Sequence, residues 1–331
     1  MDILIIGGTG LISSSIVRAL VARDDRVTVL NRGMASRTVP DGVRRITCDR
    51  VDVARFQRAV AENGPWDAVI DMICFRPAEA EASALAVRGH ARQFIMTSTI
   101  DVYQKPATAY PYTEAEPYGG LGEYATNKVA CERILWAAHA RGDLPLTVIR
   151  PGATYGVGHG PVHIFGGAYA DRLLKGKPVI VHGDGSSFWP SCHADDLAQA
   201  FVGAAGNEAT IGRAFHATGE EWITWDQHHA IVAAAIGAPP PRLVHIPTDV
   251  LARLAPERTS WIVDNFQFNN IFDNSAARET LGFRYTIPLI DGAARWYDAM
   301  KATGEVADSD ADPFEDELVA RWERGLAAAG A

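Results

Sequence analysis

Tyr124 and Lys128 lie four residues apart, close to one turn of an α-helix. On a helix, both side chains would project from the same face and bring an ammonium close to a phenol. A nearby positive charge stabilises the phenolate and lowers the pKa of a tyrosine. Since a tyrosine with a lowered pKa can move protons near neutral pH, the pair predicts acid–base chemistry.

A second group of residues with chemical meaning is the segment Gly7-Gly8-Thr9-Gly10-Leu11-Ile12-Ser13. Hydrophobic periodicity predicts a buried strand over 2–6 before it and a helix over 14–23 after it. Glycines let the backbone approach a pyrophosphate, and a helix N-terminus offers free N–H groups, so this turn predicts dinucleotide binding. Ser13 replaces the third glycine of the fingerprint, and its small side chain is compatible with close packing. The predicted cofactor contacts here are Gly7, Thr9, Gly10, Leu11 and Ile12.

The end of the second predicted strand, over 27–30, bears on which dinucleotide binds. An NAD-binding chain usually has an acidic residue here for the ribose hydroxyls, whereas this sequence has Asn31 followed by Arg32. Arg32 could meet a 2′-phosphate, which favours NADP slightly, while Asn31 could bond a ribose hydroxyl and leaves NAD open. Asp49 follows a third predicted strand, over 44–48, where it either accepts a hydrogen bond from the adenine amine or caps a turn or helix.

Composition and charge narrow the class of protein. The 331 residues are 47% hydrophobic and 21% charged, as in an ordinary soluble globular enzyme. The partner that we expect is a small-molecule substrate. A net charge of −9 argues against a nucleic-acid partner and against a basic membrane-binding surface. The apolar runs are too short to span a bilayer and no secretory signal is recognisable, so we expect a cytoplasmic protein. The four cysteines, at 48, 74, 131 and 192, lack C-x-x-C spacing, which predicts reduced thiols and no metal site.

Strands and helices alternate through the first half of the chain, with further strands predicted over 68–71, 93–98 and 146–150. This alternation predicts an α/β fold with a doubly wound parallel Rossmann sheet. A helix predicted over 123–141 carries Tyr124 and Lys128 in its first turns. After Pro151 glycine and proline become frequent, which predicts a smaller α/β substrate-binding lobe. The expected boundaries are 1–155 with about 191–219 for the dinucleotide-binding domain, and about 156–190 with 220–331 for the lobe.

Several segments together resemble the extended short-chain dehydrogenase/reductase superfamily, in its NAD-dependent epimerase/dehydratase branch. In chain order they are 7–12, 96–103, 124–128, 150–156, 183–185, 193–197 and 274–283. The resemblance implies that the Thr99 hydroxyl holds the substrate oxygen while Tyr124 removes or returns a proton. It also implies that Lys128 binds the nicotinamide ribose and keeps Tyr124 acidic.

Asp101 occupies a position with a known use in part of this superfamily. In its sugar-nucleotide dehydratases, an acid two residues before the tyrosine of the V-Y pair serves the elimination step. The resemblance therefore implies elimination or carbon-acid chemistry beside a transient ketone, with Asp101 as base. The alternative is an aspartate that caps a turn at the end of a strand.

Two positions that usually contact a nucleotide sugar depart from the pattern. Ala153 stands where an asparagine contacts the sugar nucleotide, and Trp189 stands where an arginine clamps the diphosphate. Trp189 either stacks on a substrate ring or packs within the lobe, since it cannot replace a bidentate arginine. Another cation could take over (Arg172, Lys175 or Lys177), or the substrate lacks a standard diphosphate. The predicted substrate contacts are Ala153, Trp189 and His193, the last being one of several loop histidines that could equally be structural.

The sequence thus predicts an NAD(P)-dependent epimerase/dehydratase-type oxidoreductase that acts through a transient ketone on a nucleotide-linked sugar or similar polyol. A simple NADP-dependent ketoreductase and a non-catalytic dinucleotide-binding protein on the same fold are the alternatives. Family analogy also predicts a homodimer through helices near 77–87 and 123–141, with Ala84, Leu85, Val129 and Leu135 as the apolar support. The substrate and the stereochemistry of the product stay open.

Overall fold

The computed structural model describes residues 1–34, 39–328 and 330. These residues form two compact units by contact. Unit 1 comprises Met1–Thr154, Ala194–Thr218 and Phe272–Thr286, and unit 2 comprises Tyr155–His193, Gly219–Ile271 and Ile287–Ala331. The domain boundaries expected from the sequence stay a prediction.

The regular elements follow one another along the chain as alternating strands and helices. The strands are β1 (Asp2–Ile6), β2 (Arg26–Asn31), β3 (Arg44–Thr47), β4 (Ala68–Asp71), β5 (Phe94–Thr97), β6 (Leu146–Pro151), β7 (Ala153–Tyr155), β8 (Val179–His182), β9 (Phe188–Trp189), β10 (Ser191–His193), β11 (Arg213–Ala217), β12 (Ile223–Thr224) and β13 (Leu243–Ile246). The helices are α1 (Leu11–Ala22), α2 (Val53–Asn63), α3 (Pro77–Val87), α4 (Gly122–Ala140), α5 (Tyr169–Leu174), α6 (Ala194–Ala204), α7 (Trp225–Ala235), α8 (Thr248–Leu254), α9 (Ser275–Leu281), α10 (Leu289–Thr303) and α11 (Phe314–Ala328).

Unit 1 is built on a seven-stranded sheet with the order β11-β6-β5-β4-β1-β2-β3. Every neighbouring pair is parallel. Parallel strands need helical crossovers that cover both faces, which explains why β1, β4 and β5 read as short apolar runs without alternation. The predicted doubly wound Rossmann fold is confirmed.

Helix α4 is held against the sheet by its apolar side. Cys131, Leu135 and Ala138 join a core cluster with Phe94 and Val148 of the neighbouring strands. Burial of a large apolar side chain stabilises the fold by roughly 1.5–3 kcal/mol, so this face fixes the rotation of the helix about its axis. The start of α4, which carries Tyr124 and Lys128, is oriented as a consequence.

A buried ion pair also ties α4 to the sheet. Arg150 donates to both carboxylate oxygens of Glu132, at 3.0 and 2.6 Å, and both side chains are less than 5% exposed. Ser98 donates to the same carboxylate at 2.5 Å, and Tyr118 does so at 2.7 Å. Arg150 further donates to the Tyr103 hydroxyl at 3.0 Å. Burial alone would raise the pKa of Glu132, but the guanidinium and these donors hold it below its ordinary value.

Helix α1 begins earlier than the periodicity predicts, at Leu11 instead of position 14. Ser13, in the first turn, accepts a hydrogen bond from the Gly10 N–H at 2.8 Å. This contact satisfies one of the N–H groups that a helix start leaves unpaired, and the helix extends up to the glycine turn as a result. Helix α4 starts and ends within one residue of its predicted bounds.

Unit 2 has its own core, around α5, α7 and α10. Tyr169, Val232, Leu289 and Trp296 are among its buried members. Strand β8 pairs with β13 in parallel, and β9 pairs with β12 in antiparallel orientation. Gly160 permits a close approach here, because a Cβ at this position would lie 2.4 Å from the Trp296 ring.

The cysteines, the possible metal ligands and the helices of both units limit the kinds of site that the described residues can form. All four cysteines are buried and free of disulfide bonds. Over the described ranges, no three His, Cys, Asp or Glu side chains group in a way that could hold a metal ion. Within those ranges, too, no helix combines the length and the apolar character that a membrane crossing requires.

Substitution of Arg150 by methionine should lower the free energy of unfolding by about 3–5 kcal/mol, because Glu132 is then buried without its cation. Chemical denaturation followed by circular dichroism measures this change. Arg253→Met is the control, since Arg253 pairs with Asp249 at 2.9 Å with both side chains more than two-thirds exposed. We expect no measurable loss in the control. Equal stability of wild type and Arg150→Met would contradict the structural role of the pair.

Candidate active site

The glycine turn at the end of β1 depends on backbone angles that favour glycine. Gly7 and Gly8 have φ values of 113° and 93°. A Cβ at Gly8 would lie 2.5 Å from Val29 Cγ1, closer than any real contact. Gly7 also donates its N–H to the Leu30 carbonyl at 2.8 Å, which holds the turn against β2. The result is a tight turn that brings bare backbone to the N-terminus of α1, as a pyrophosphate site requires.

The predicted cofactor contacts of the turn are brought together at the start of α1. Thr9, Leu11 and Ile12 are half-buried there, and Gly10 is exposed. Ser13 is buried, and its hydroxyl oxygen takes the Gly10 N–H. The residue at the third glycine position therefore does more than fill a small space, because it engages one backbone donor of the turn.

Asn31 links the end of β2 to the glycine turn. Its amide donates to the Gly7 carbonyl at 2.9 Å and its carbonyl accepts from the Gly33 N–H at 2.9 Å. A side-chain amide retains a second N–H and further acceptor capacity, so contact with a ribose is still compatible with this geometry. The adjacent Arg32 is exposed. The preference for NADP inferred from these two residues stays a prediction.

Asp49 forms a turn, which is one of the two roles predicted for it. The side chain is exposed, and its Oδ1 accepts from the Val51 N–H at 3.1 Å. The N-cap of α2 is Asp52, whose side chain accepts from the Arg55 N–H. A contact of Asp49 with an adenine amine stays a prediction.

Lys128 is deeply buried on α4 and held by two backbone carbonyls. It is 1% exposed, and its Nζ donates to Thr97 at 2.8 Å and to Cys74 at 2.9 Å. The Phe75 ring lies 4.5 Å from the same nitrogen. Burial lowers the pKa of Lys128. Two of the three N–H bonds of the ammonium are thereby engaged, which fixes where the nitrogen sits at the carboxyl ends of β4 and β5.

Tyr124 lies beside Lys128, as the helical spacing predicts. The Lys128 Nζ is 6.0 Å from the centre of the Tyr124 ring. Burial and the Asp101 carboxylate raise the pKa of Tyr124 to about 12, against a hydrogen bond with Thr99 that lowers it. The expected lowering of the Tyr124 pKa by Lys128 is therefore wrong for the chain without a bound cofactor. The Lys128 ammonium donates to carbonyl oxygens, and burial of Tyr124 is the largest effect on the pKa of its phenol.

Thr99 and Asp101 meet at the carboxyl end of β5. The Thr99 hydroxyl donates to Asp101 Oδ2 at 3.1 Å and accepts from the Asp101 N–H at 3.2 Å. Lys105 donates to the other carboxylate oxygen, Oδ1, at 3.3 Å. Both oxygens of Asp101 thus accept hydrogen bonds within the protein, and the cap of the short turn at Ile100–Val102 is Thr99, whose side chain accepts from the Asp101 N–H. The two interpretations of Asp101, as the base of an elimination and as a turn cap, stay predictions.

A pair of glycines brings the start of α4 up to this group. A Cβ at Gly120 would lie 1.9 Å from the Asp101 carbonyl oxygen, so only glycine fits. The N–H groups of Gly119 and Gly120 both donate to the Val102 carbonyl, at 3.0 and 3.2 Å. This close approach explains how Tyr124, two residues into α4, reaches Thr99 and Asp101.

Of the three predicted substrate contacts, one lies in unit 1 and two lie in unit 2. Ala153 is half-buried in unit 1. Trp189 is 3% exposed in unit 2, where it packs on Trp225 and Phe266 with ring centres 5.0 and 4.7 Å apart. This burial supports the packing interpretation of Trp189. His193 is 4% exposed and lies edge-on to the Tyr155 ring at 5.4 Å.

Two ionised residues near the site escaped the sequence analysis. Lys105 had a usable signal, its spacing of four residues from Asp101. Arg50 had none, because its partners are distant in sequence: it donates to both oxygens of Asp71 at 3.0 and 3.1 Å. Asp71 ends β4, so this pair fixes the loop after β3 against the strand that leads to Cys74.

The chain is similar in sequence to a known family and to proteins of known activity. Residues 3–218 match the NAD dependent epimerase/dehydratase family. The chain is 30% identical over 281 residues to 2′-dehydrokanamycin reductase of Streptomyces kanamyceticus, which covers 82% of this chain and 77% of that protein. It is also 30% identical over 325 residues to UDP-glucose 4-epimerase of Mycolicibacterium smegmatis, which covers 89% of this chain and 97% of that protein.

A solved structure supports the same architecture. The dTDP-glucose 4,6-dehydratase of Bacillus anthracis, solved with NAD, superposes with a TM-score of 0.75 at 14% identity. The match covers 92% of this chain and 98% of that one. At this level of identity the likeness shows the fold.

Proposed function

The chain belongs to the NAD dependent epimerase/dehydratase family and is an enzyme of that family, and we propose that it interconverts a secondary hydroxyl and a transient ketone on a sugar or similar polyol. The observation that carries this proposal is the grouping of Thr99, Tyr124 and Lys128 in unit 1. Tyr124 is hydrogen-bonded to Thr99, and Lys128 is buried beside the tyrosine ring. An intact set of this kind favours catalysis over simple dinucleotide binding.

The glycine turn fits a nicotinamide dinucleotide, because Gly7 and Gly8 keep the backbone at the α1 N-terminus free of side chains. Gly7, Thr9, Gly10, Leu11 and Ile12 would hold the pyrophosphate, and Asn31, Arg32 and Asp49 the adenosine. When bound, the nicotinamide supplies the hydride acceptor or donor, and its oxidised ring carries a positive charge that favours the tyrosinate. NAD is the family's cofactor. A preference for NADP would depend on a contact between Arg32 and the 2′-phosphate.

The three central residues divide the work by chemical type. Thr99 hydrogen-bonds the substrate oxygen, and Tyr124 takes the hydroxyl proton in oxidation or gives it in reduction. Lys128 donates two N–H bonds to carbonyls, which leaves a third for the ribose. General acid–base assistance of this kind contributes roughly a hundredfold to ten-thousandfold in rate.

The three cations considered for a diphosphate clamp, all in unit 2, are each paired with carboxylates. Arg172 binds Glu315 at 3.2 Å, and Lys175 contacts three aspartates within 2.8 Å. Lys177 contacts Asp310 and Asp316. Together with the burial of Trp189 and the absence of an amide at Ala153, this supports a substrate without the usual diphosphate clamp. A nucleotide-linked sugar remains within the proposal, through contacts that differ from the family pattern.

A ketoreductase is the second candidate. Tyr124 is protonated near neutral pH, as an ordinary tyrosine also is, so its protonation state is compatible with donation to a ketone but does not distinguish this candidate from the first. Asp101 is also engaged by Thr99 and Lys105, which weighs against its use as the base of an elimination. The relative from Streptomyces kanamyceticus is named as a reductase.

Replacement of Tyr124 by phenylalanine should lower kcat by about 10²–10⁴-fold, because the only group lost is the proton-carrying hydroxyl. Turnover of UDP-glucose and of 2′-dehydrokanamycin is followed by NMR, and Tyr297→Phe, in unit 2, serves as the matched control. The dinucleotide released on denaturation is identified by mass spectrometry. Retained cofactor with no net consumption indicates internal hydride return, whereas consumption of free NADH or NADPH indicates the ketoreductase. Full-rate turnover by Tyr124→Phe would remove the mechanism.

A homodimer through α3 and α4 and a cytoplasmic location stay proposals. Leu85 on α3 supports the dimer, since it is 60% exposed. Leu135 and Val129 do not, because both are buried within unit 1. Light scattering should give twice the mass of the chain, and a monomeric mass would eliminate this assembly.

A further inference from the structure

The aromatic ring of Phe75 lies against the ammonium of Lys128, in the loop that follows β4. The centre of the ring is 4.5 Å from the lysine Nζ. Lys128 is 1% exposed and Phe75 is 44% exposed, so one part of the ring meets a buried cation while another part meets solvent. Both residues belong to unit 1, together with the other members of the candidate catalytic group.

The backbone on either side of this ring is held by hydrogen bonds. The Cys74 carbonyl accepts from the Lys128 Nζ at 2.9 Å. The N–H groups of Phe75 and Arg76 both donate to Glu79 Oε2, at 2.6 and 2.9 Å, and Glu79 lies in the first turn of α3. The loop is therefore tied to α4 on one side and to α3 on the other, which sets the position of the ring before any ligand binds.

Lys128 needs stabilisation as a cation because burial lowers its pKa. Its two hydrogen-bond acceptors, the carbonyls of Thr97 and Cys74, are neutral. The ionisable groups near it that favour the ammonium belong to β4, to the loop and to α4; they are Asp71, Cys74, Cys131 and Glu132. Asp71 and Glu132 are each paired with an arginine, which weakens their effect on Lys128.

The Phe75 ring supplies a further attraction for this cation. The face of an aromatic ring carries partial negative charge, and it attracts an ammonium within about 6 Å of the ring centre, more strongly where water is excluded. The Tyr124 ring, at 6.0 Å from the Lys128 Nζ, lies at the edge of this range, whereas Phe75 lies well inside it. The Phe75 ring thus favours a charged lysine seated at the carbonyls over a neutral or displaced one.

We propose that Phe75 is a positioning residue for the dinucleotide: its ring holds the Lys128 ammonium at the place where the nicotinamide ribose binds. The inference rests on the proposed function of Lys128 as a ribose contact. Without the ring, a neutral or displaced lysine becomes populated, and the apparent affinity falls with the fraction of molecules that can still bind. The strength of an attraction between a desolvated cation and a ring limits this loss to about thirtyfold.

The test measures the affinity of wild type and of Phe75→Leu for a reduced dinucleotide by calorimetry, from neutral to alkaline pH. The ligand is NADH or NADPH, whichever the wild type binds more tightly. Leucine keeps an apolar side chain but has no ring, so Kd should rise by about threefold to thirtyfold. The ratio of the two Kd values should grow with pH, because loss of the ring lowers the pKa of Lys128 and the variant then loses its ammonium at a lower pH.

Two further changes at position 75 separate the charge of the ring from its shape. Phe75→Tyr keeps the ring, and the half-exposed position gives the added hydroxyl access to solvent, so Kd should stay within about twofold of wild type. A fluorinated phenylalanine keeps the shape of the ring but weakens its negative face. This residue should lose affinity as leucine does.

A second ligand and a second site provide the controls. ADP has no nicotinamide ribose, so its Kd should be the same for wild type and Phe75→Leu. Tyr297→Leu removes another ring beside a lysine, with its centre 5.4 Å from the Lys301 Nζ on α10 of unit 2, and should leave the dinucleotide Kd unchanged. Circular dichroism reports folding. If Phe75→Leu does not fold, the fluorinated ring carries the test.

Each outcome decides the assignment. Wild-type affinity of Phe75→Leu at every pH would overturn it. A loss that is equal at every pH, or one that the fluorinated ring does not share, would also overturn it, since the ring would then act through its apolar surface. Equal losses for ADP and the dinucleotide would overturn it as a general disturbance of the site. These results remove this inference alone, whereas a wild type that binds neither NADH nor NADPH removes the proposed function as well.

Discussion

The buried pair of Glu132 and Arg150 is the interaction on which the candidate site depends. It joins α4 to β6, and through Ser98 and Tyr103 it also holds the end of β5 and the turn that follows. Each residue of the proposed mechanism is attached to one of these elements. Tyr124 and Lys128 belong to the same helix as Glu132, Thr99 follows Ser98, and Asp101 lies two residues before Tyr103. A shift in the pair would change the distances among all four.

The burial of Tyr124 and the charges near it set the pKa of its phenol. The lysine ammonium donates to two carbonyl oxygens, and the Asp101 carboxylate acts on the phenol and raises its pKa. Burial and this carboxylate raise the pKa of Tyr124, so the chain by itself disfavours the tyrosinate that removal of a hydroxyl proton requires. A positively charged nicotinamide would oppose this tendency, so the direction of proton transfer would follow the redox state of the cofactor.

Sequence reasoning predicted what repeats or stands close along the chain. The alternation of short apolar strands with helices predicted the parallel sheet, and the spacing of Tyr124 and Lys128 placed both on one face of α4. Sequence reasoning failed for properties that depend on burial or on partners distant in the chain. The pKa of Tyr124 has the opposite direction because its desolvation is invisible in sequence. The pairing of Arg50 with Asp71 and of Lys177 with Asp316 joins residues far apart in the chain, and neither could be read from spacing.

The central claim is that one dinucleotide site and one proton-transfer group meet at the carboxyl ends of β4 and β5. A crystal structure of the chain grown with NADH tests it most directly. The account predicts the pyrophosphate on the Gly7–Gly10 turn, a ribose hydroxyl hydrogen-bonded to the Lys128 ammonium, and the nicotinamide ring facing Thr99 and Tyr124. A bound dinucleotide whose nicotinamide lies away from Tyr124, with Lys128 contacting only the Cys74 and Thr97 carbonyls, would contradict it.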